Sequence, residues 1–278
     1  MIKSFISVLF ILFHFTNVAL LSEEKYPFDI PHSEKAVSFG IKIEARIKGQ
    51  RGYSGLVYEI LKSYVDPKKR VLDIGCGTGI STLPLLELFH EVRGCDIDSR
   101  LLEIAIQKNP TIFSLADAHH LPHSNEAFDV ITAFSSYMWF CDNQATKEIY
   151  RTLKPSGYFY IVDKNYLKSP LQKKIVQIIQ QTIDTRFEHN NKTYLPYEML
   201  RANSFEIVEV EEFSDTESFT VEEAIYNAQS QSYWLYVIKA NKEEDVTAIL
   251  RAYFDSIKDK DGKIHVHFKP TCILAKKN

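Results

Sequence analysis

The sequence predicts an α/β fold built on a doubly wound parallel sheet. Three observations predict it. Five apolar, strand-like runs alternate with helix-patterned segments between residues 69 and 163, the rhythm of strand–helix–strand crossovers. The first run ends in a glycine loop, VLDIGCGTGIS at 71–81, the arrangement of a nucleotide-binding crossover. The fourth run, FDVITAF at 128–134, is apolar nearly throughout, as expected of a strand covered on both faces.

Each element has its own local reason. Residues 22–50 are punctuated by Pro27, Pro31 and Gly49 and read as a cap segment with a short helix. Within 54–64, Leu56, Val57, Ile60 and Leu61 recur at helical spacing, and Asp66-Pro67 ends that helix. The first strand covers 69–74. A helix over 81–89 follows, and its Pro84 fits only if Ser81 stands near the N-cap, because a first-turn residue has no intrahelical partner for its N–H. A short strand at 91–95 leads to an apolar-faced helix at 99–108, with Ser99 as its cap. The third strand, 111–115, opens into the polar loop DAHHLPHSNEA. After strand four, a helix at 144–153 is stopped by Lys154-Pro155-Ser156-Gly157, and strand five spans 158–162. Beyond Asp163 the rhythm changes. An amphipathic helix at 169–186 carries Ile175, Ile178, Ile179 and Ile183 on one face. A strand at 205–211, helices near 221–230 and 243–257, and a final strand at 264–274 complete the chain.

Composition narrows the classes of function. At 278 residues, with 45% hydrophobic and 25% charged residues, the chain is an ordinary globular protein with room for a substantial core. A net charge of −3 with scattered basic residues offers no electrostatic footprint for nucleic acid. The four cysteines, Cys76, Cys95, Cys141 and Cys272, show neither CxxC nor metal spacing and read as free thiols.

The glycine loop holds something other than a phosphate. Dinucleotide loops read GxGxxG, but here the glycines are Gly75, Gly77 and Gly79, and Ile80 stands where the third glycine of that pattern belongs. The GK[ST] of a P-loop is absent as well. Strand two ends in Gly94-Cys95-Asp96-Ile97-Asp98, which puts Asp96 in place to accept both hydroxyls of a ribose, while Asp98 falls in the capping region of the next helix. After strand three, Asp117-Ala118 can take up an adenine exocyclic amine. Asp73, near the end of strand one, is placed to orient the loop and to meet an ammonium, directly or through water. Ribose, adenine and an amino-acid tail without phosphate describe S-adenosylmethionine. Hydride transfer on nicotinamide is the competing reading, and Ile80 speaks against it.

VLDIGCGTG, GCDID, LADAHHLPHSNEAFDVITAFSSYMWF and EIYRTLKPSGYFYIVD resemble the successive motifs of class I S-adenosylmethionine-dependent methyltransferases. The similarity is to the small-molecule branch that includes trans-aconitate and ubiquinone-pathway methyltransferases, and it covers about residues 45–165. It implies a Rossmann-like, seven-stranded sheet, mostly parallel with an antiparallel last strand, which 264–274 would supply. It also implies cofactor contacts from Tyr53, Asp73, Gly75, Cys76, Gly77, Gly79, Asp96, Ile97, Asp117, Ala118 and Ser135. Tyr53 stands in Arg51-Gly52-Tyr53, which lacks the family's usual proline. The acceptor is expected to be a small molecule, attacked through oxygen or nitrogen, because the Asn/Asp-Pro-Pro-aromatic turn of nucleic-acid and amide methylation and a Pro-Cys nucleophile are absent. Tyr137 and Trp139, with Tyr233 and Trp234, are the acceptor-side candidates. No metal is expected. A sulfonium methyl is already activated, so alignment and exclusion of water carry the catalysis, and a base is needed only for a protonated nucleophile. His119, His120 and His123 read as solvated loop residues. A cofactor-binding accessory protein without catalysis is the alternative.

Residues 1–21, MIKSFISVLFILFHFTNVALL, place Lys3 before a long apolar run. They resemble a secretory signal or a short anchor. Three readings stand: a signal, a membrane-associating helix, or a misassigned start, the last requiring a non-Met codon because no second methionine precedes Met138. The leader points to a secretory or anchored protein, the cofactor and thiols to a cytoplasmic domain. The expected organisation is therefore a leader at 1–21, cap helices at 22–62 and a main domain at 63–278 with substrate-side insertions at about 166–260.

Overall fold

The computed structural model describes residues 42–187 and 194–278. The 1–21 leader and residues 22–41 of the cap segment lie outside the described residues. Two helices open the described chain, α1 (Ile43–Gly49) and α2 (Gly55–Tyr64). The Ser54 hydroxyl caps α2 by accepting from Leu56 N. Then come β1 (Arg70–Ile74), α3 (Thr82–Leu85), β2 (Glu91–Asp96), α4 (Ser99–Lys108), β3 (Phe113–Leu115), β4 (Phe128–Phe134), α5 (Asn143–Thr152) and β5 (Leu153–Asp163). Among these, α3 is shorter than the 81–89 expected. It is one turn with Pro84 inside it and Ser81 as N-cap, and looser turns carry the chain on to Phe89. Asp98, rather than Ser99, caps α4, its carboxylate accepting from Arg100 N.

The second half holds α6 (Pro170–Thr182), α7 (Pro196–Ala202), β6 (Phe205–Glu212), β7 (Asp215–Thr220), α8 (Val221–Gln229), α9 (Trp234–Lys239), α10 (Glu243–Ile257), β8 (Lys263–Phe268) and β9 (Thr271–Lys277). Seven strands form one sheet in the order β3-β2-β1-β4-β5-β9-β6. Neighbours from β3 to β5 are parallel, and β9 runs antiparallel to both β5 and β6. The mostly parallel sheet with its antiparallel last strand is thus present. The final strand expected at 264–274 is two strands, broken at Lys269-Pro270, because proline cannot donate to a ladder. Only β9 joins the large sheet; β8 pairs with β7 in a separate ribbon, Glu217 opposite Val266.

One buried cluster, containing Leu72, Ile131, Phe159 and Ile273, packs on one face of the sheet under α5 and α7. The other, containing Val71, Val130, Tyr160 and Leu274, packs under α2. The alternation of these residues along each strand is what a sheet covered twice requires. Among the described residues no helix is long and apolar enough to cross a membrane. All four cysteines are free thiols.

Candidate functional site

A cavity opens at the carboxyl ends of β1, β2 and β4, where an open α/β sheet offers its crevice. Its floor is the glycine loop. Gly75, Gly77 and Gly79 all have positive φ, at 70°, 54° and 78°, which lets the chain leave β1 and turn back sharply into α3. At Gly75 a Cβ would stand 2.5 Å from the Ser136 Cβ, so the loop also needs the missing side chain for space. Four of the loop amides are turned inward. Gly75 N and Cys76 N donate to Cys95 O at 2.8 and 3.1 Å, Gly79 N to Cys76 O at 2.9 Å, and Gly77 N to Asp96 Oδ2 at 2.7 Å. Amides so committed do not form the anion nest of a phosphate site.

Asp73 lies beneath this floor and does not line the cavity. Its fully buried carboxylate accepts three hydroxyl hydrogen bonds, from Ser81 (2.8 Å), Thr82 (2.6 Å) and Thr132 (2.8 Å). It therefore ties the loop's exit to β4. Burial pushes its pKa up to about 6, against those hydroxyls. Direct contact with a ligand ammonium, the first of the two routes expected for it, is not what this geometry offers.

Asp96 ends β2 and lines the cavity, with Ile97, Asp98, Asp117, Ala118 and Cys76. Its two oxygens accept from Gly77 N and Asp98 N (2.7 and 2.9 Å), and burial raises its pKa despite them. Arg46, from α1, faces the same space. Burial draws its guanidinium down to about 10, opposed by Asp96, Tyr53 and Asp98, so it is a cation at neutral pH. No spacing in the sequence connects residue 46 with residue 96. The contact is tertiary, made where α1 crowds α8: a Cβ on Gly49 would fall 2.2 Å from Asn227 N.

Tyr53, Phe134, Ser135, Trp139 and Phe140 form an aromatic end of the cavity. Tyr53 packs edge-on against Phe134 at 4.9 Å between ring centroids and hydrogen-bonds Ser135, while burial raises its phenol. Ser135 itself takes a left-handed φ of 49°, and its N–H donates to Val162 O at 2.7 Å. Three acceptor-side expectations fail here. Tyr137 is fully buried beside Phe140 and Phe159, with its hydroxyl 2.7 Å from Thr146 Oγ1. Tyr233 and Trp234 are buried under the C-terminal helices, held by Gln172 Oε1 at 3.1 Å and Glu243 Oε1 at 2.9 Å. In all three the polar tip finds a partner inside the protein, which lets the whole ring be buried. Trp139 does line the cavity.

The loop histidines divide: His120 is exposed as expected, whereas His123 is half-buried with its ring edge-on to Phe128 at 4.8 Å between centroids. His119 is no solvated residue: it lines the cavity with its ring between Asp117 and Asp142. Among the described residues no group of three or more His, Cys, Asp or Glu could hold a metal ion.

Residues 72–161 match the family model described as "Methyltransferase domain". The chain is 30% identical over 155 residues to demethylmenaquinone methyltransferase of Chlorobaculum parvum, a match covering 54% of this chain and 62% of that protein. It is 34% identical over 103 residues to the methyltransferase GfsG of Streptomyces halstedii, covering 34% and 37%. The chain thus spans less than two thirds of the length of these relatives. Among solved structures, the YcgJ protein of Bacillus subtilis superposes with a TM-score of 0.52 at 19% identity, over 81% of this chain and 99% of that one. Phosphoethanolamine N-methyltransferase 2 of Haemonchus contortus, solved with S-adenosylhomocysteine, gives 0.50 at 17% identity, over 91% and 61%. Those two likenesses are of fold.

Proposed function

We propose that this chain, whose residues 72–161 form a methyltransferase domain, is a class I S-adenosylmethionine-dependent enzyme that methylates a small-molecule acceptor held at the aromatic end of the cavity. The observation that carries this reading is the inward commitment of the loop amides beside two strand-end carboxylates. It favours an adenosine with an amino-acid tail over any pyrophosphate ligand.

The residues fit such a cofactor. Asp96 is the acceptor for ribose hydroxyls, Asp117 with Ala118 borders the adenine, and Arg46 is the counter-ion for the tail carboxylate. The cofactor, when bound, supplies a methyl group already activated on a sulfonium. What the chain adds is alignment and a water-poor wall: Tyr53, Phe134, Trp139 and Phe140 present rings to an apolar or aromatic acceptor. At this aromatic end the raised Tyr53 phenol stays protonated at neutral pH. An acceptor that attacks as an ionised carboxylate or as a neutral amine needs no base to generate its nucleophile. The four free thiols and the cofactor both favour a reducing compartment, and N-terminal sequencing of the native protein tests the fate of residues 1–21.

Titration calorimetry with S-adenosylmethionine, S-adenosylhomocysteine and NAD tests the cofactor. Binding of the first two and not the third is expected, and Asp96→Ala is expected to weaken it at least about tenfold. Failure of both to bind would sink the reading. A methyl-labelled cofactor incubated with a metabolite pool then identifies the acceptor; binding with no label transferred would leave an accessory protein.

A further inference from the structure

Both ring nitrogens of His119 face carboxylates. Nδ1 stands 2.7 Å from Asp117 Oδ1, and Nε2 stands 2.7 Å from Asp142 Oδ2. An ionised carboxylate can only accept, so both contacts are hydrogen bonds only when each nitrogen carries a proton. The geometry therefore describes an imidazolium. The ring is packed into the cavity wall, its side chain 13% exposed, whereas Asp117 is 42% exposed. His119 also donates its backbone N–H to Asp117 Oδ1 at 2.9 Å. Two bonds converge on that one oxygen and leave Oδ2 for a ligand. At the other end, Asp142 is the N-cap of α5, and its Oδ1 accepts from Gln144 N and Ala145 N at 2.9 and 3.0 Å.

We propose that charged His119 is a positioning residue: it aims Asp117 at the adenine amine, anchors it to the start of α5, and makes cofactor affinity fall as pH rises. This rests on the cofactor reading above. A neutral ring keeps one N–H, so one of the two links must fail and a lone pair then faces a carboxylate. Burial opposes the charged ring, but hydrogen bonds to Asp142 and Asp117 outweigh it and raise the His119 pKa. The clamp is thus complete below the ordinary histidine value of about 6.5 and is lost as pH climbs through the raised one. The other titratable or charged groups around it are the His120 imidazole beside it, the paired Glu148 and Arg151 further along α5, and Arg46, Asp96 and Asp98 elsewhere on the cavity wall.

The test is calorimetry with S-adenosylhomocysteine from pH 6 to 9 on the full chain and two variants. In His119→Asn the amide can donate to Asp117 at every pH, and the ligand's own ammonium titrates alike in both proteins. The ratio of wild-type to variant affinity is therefore expected to fall about fivefold across the range. Asp142→Asn keeps a competent N-cap but removes the charge, so the midpoint of that fall, and of the His119 ring titration followed by NMR, moves down by about one pH unit. Parallel profiles for wild type and His119→Asn, or an unmoved midpoint in Asp142→Asn, would overturn the proposal while leaving the cofactor reading intact. No binding at any pH in the wild type would overturn both.

Discussion

At the scale of single residues, two positions expose what the fold tolerates. Gly75 combines φ +70° with a Cβ position only 2.5 Å from the Ser136 Cβ. Gly75→Ala is expected to cost about 2–3 kcal/mol, read as a lowered urea midpoint at unchanged slope. Asp163, the last residue of β5, is 4% exposed and accepts one hydrogen bond, from the Tyr194 hydroxyl at 2.6 Å, while its Oδ1 has no partner. Burial pushes its pKa to about 6 against that bond. A folded pKa above the unfolded value of about 3.9 means the folded state binds the extra proton between the two. Stability therefore falls as pH rises through this window, and the penalty is complete above about 6. Asp163→Asn is expected to stabilise by about 2 kcal/mol at pH 7.5 and hardly at all at pH 4, measured by urea unfolding at each pH.

Among elements, the parallel strands were legible because burial on both faces writes a continuous apolar run, and the glycine loop because backbone geometry admits little else. The carboxylates at 96 and 117 were legible for the same reason: a residue at a strand's carboxyl end has one place to be. Tyr137, Tyr233 and Trp234 were not, since an aromatic run beside a pocket can turn inward or outward and only a buried partner such as Thr146 decides it. Arg46 and His119 were missed because their meaning lies in tertiary neighbours. The split of β8 from β9 follows from Pro270, which the single strand expected over 264–274 ran through, and its geometry depends on Asn165. That residue has φ 54° and donates from Nδ2 to Lys269 O at 3.1 Å and Thr271 Oγ1 at 2.8 Å. Asn165→Ala gives up both bonds in a left-handed conformation, with an expected loss of about 2 kcal/mol. Asn165→Gly should recover the part due to backbone strain, and thermal melts of the pair separate the two.

For the molecule as a whole, Lys164 is the junction. Its ammonium donates to Arg51 O (2.9 Å), Gly52 O (2.7 Å) and Glu217 Oε1 (2.7 Å), with both side chains of the ion pair nearly buried. One group thereby joins the end of β5, the segment that carries Tyr53, and the β7–β8 ribbon. Burial lowers the lysine and raises the glutamate, and each partner opposes that shift in the other. Lys164→Met is expected to cost about 3–5 kcal/mol by stranding a buried carboxylate. Adding Glu217→Leu should restore much of it, so a double-mutant cycle shows strong coupling. Additive losses would mean that the carbonyl contacts, not the ion pair, hold the junction.

The strand order has a temporal side. β9 is the final strand in the sequence, yet it lies between β5 and β6 and pairs with both. While the chain is being made, β6 emerges with no neighbour to receive it, and the free edge of β5 stays open until residues 271–277 arrive. Contacts between strands more than a hundred residues apart, Phe159 opposite Ala275 among them, must then form late and against a long loop closure. For that interval the nascent protein carries an unpaired apolar edge, the kind of surface that chaperones hold and aggregates recruit.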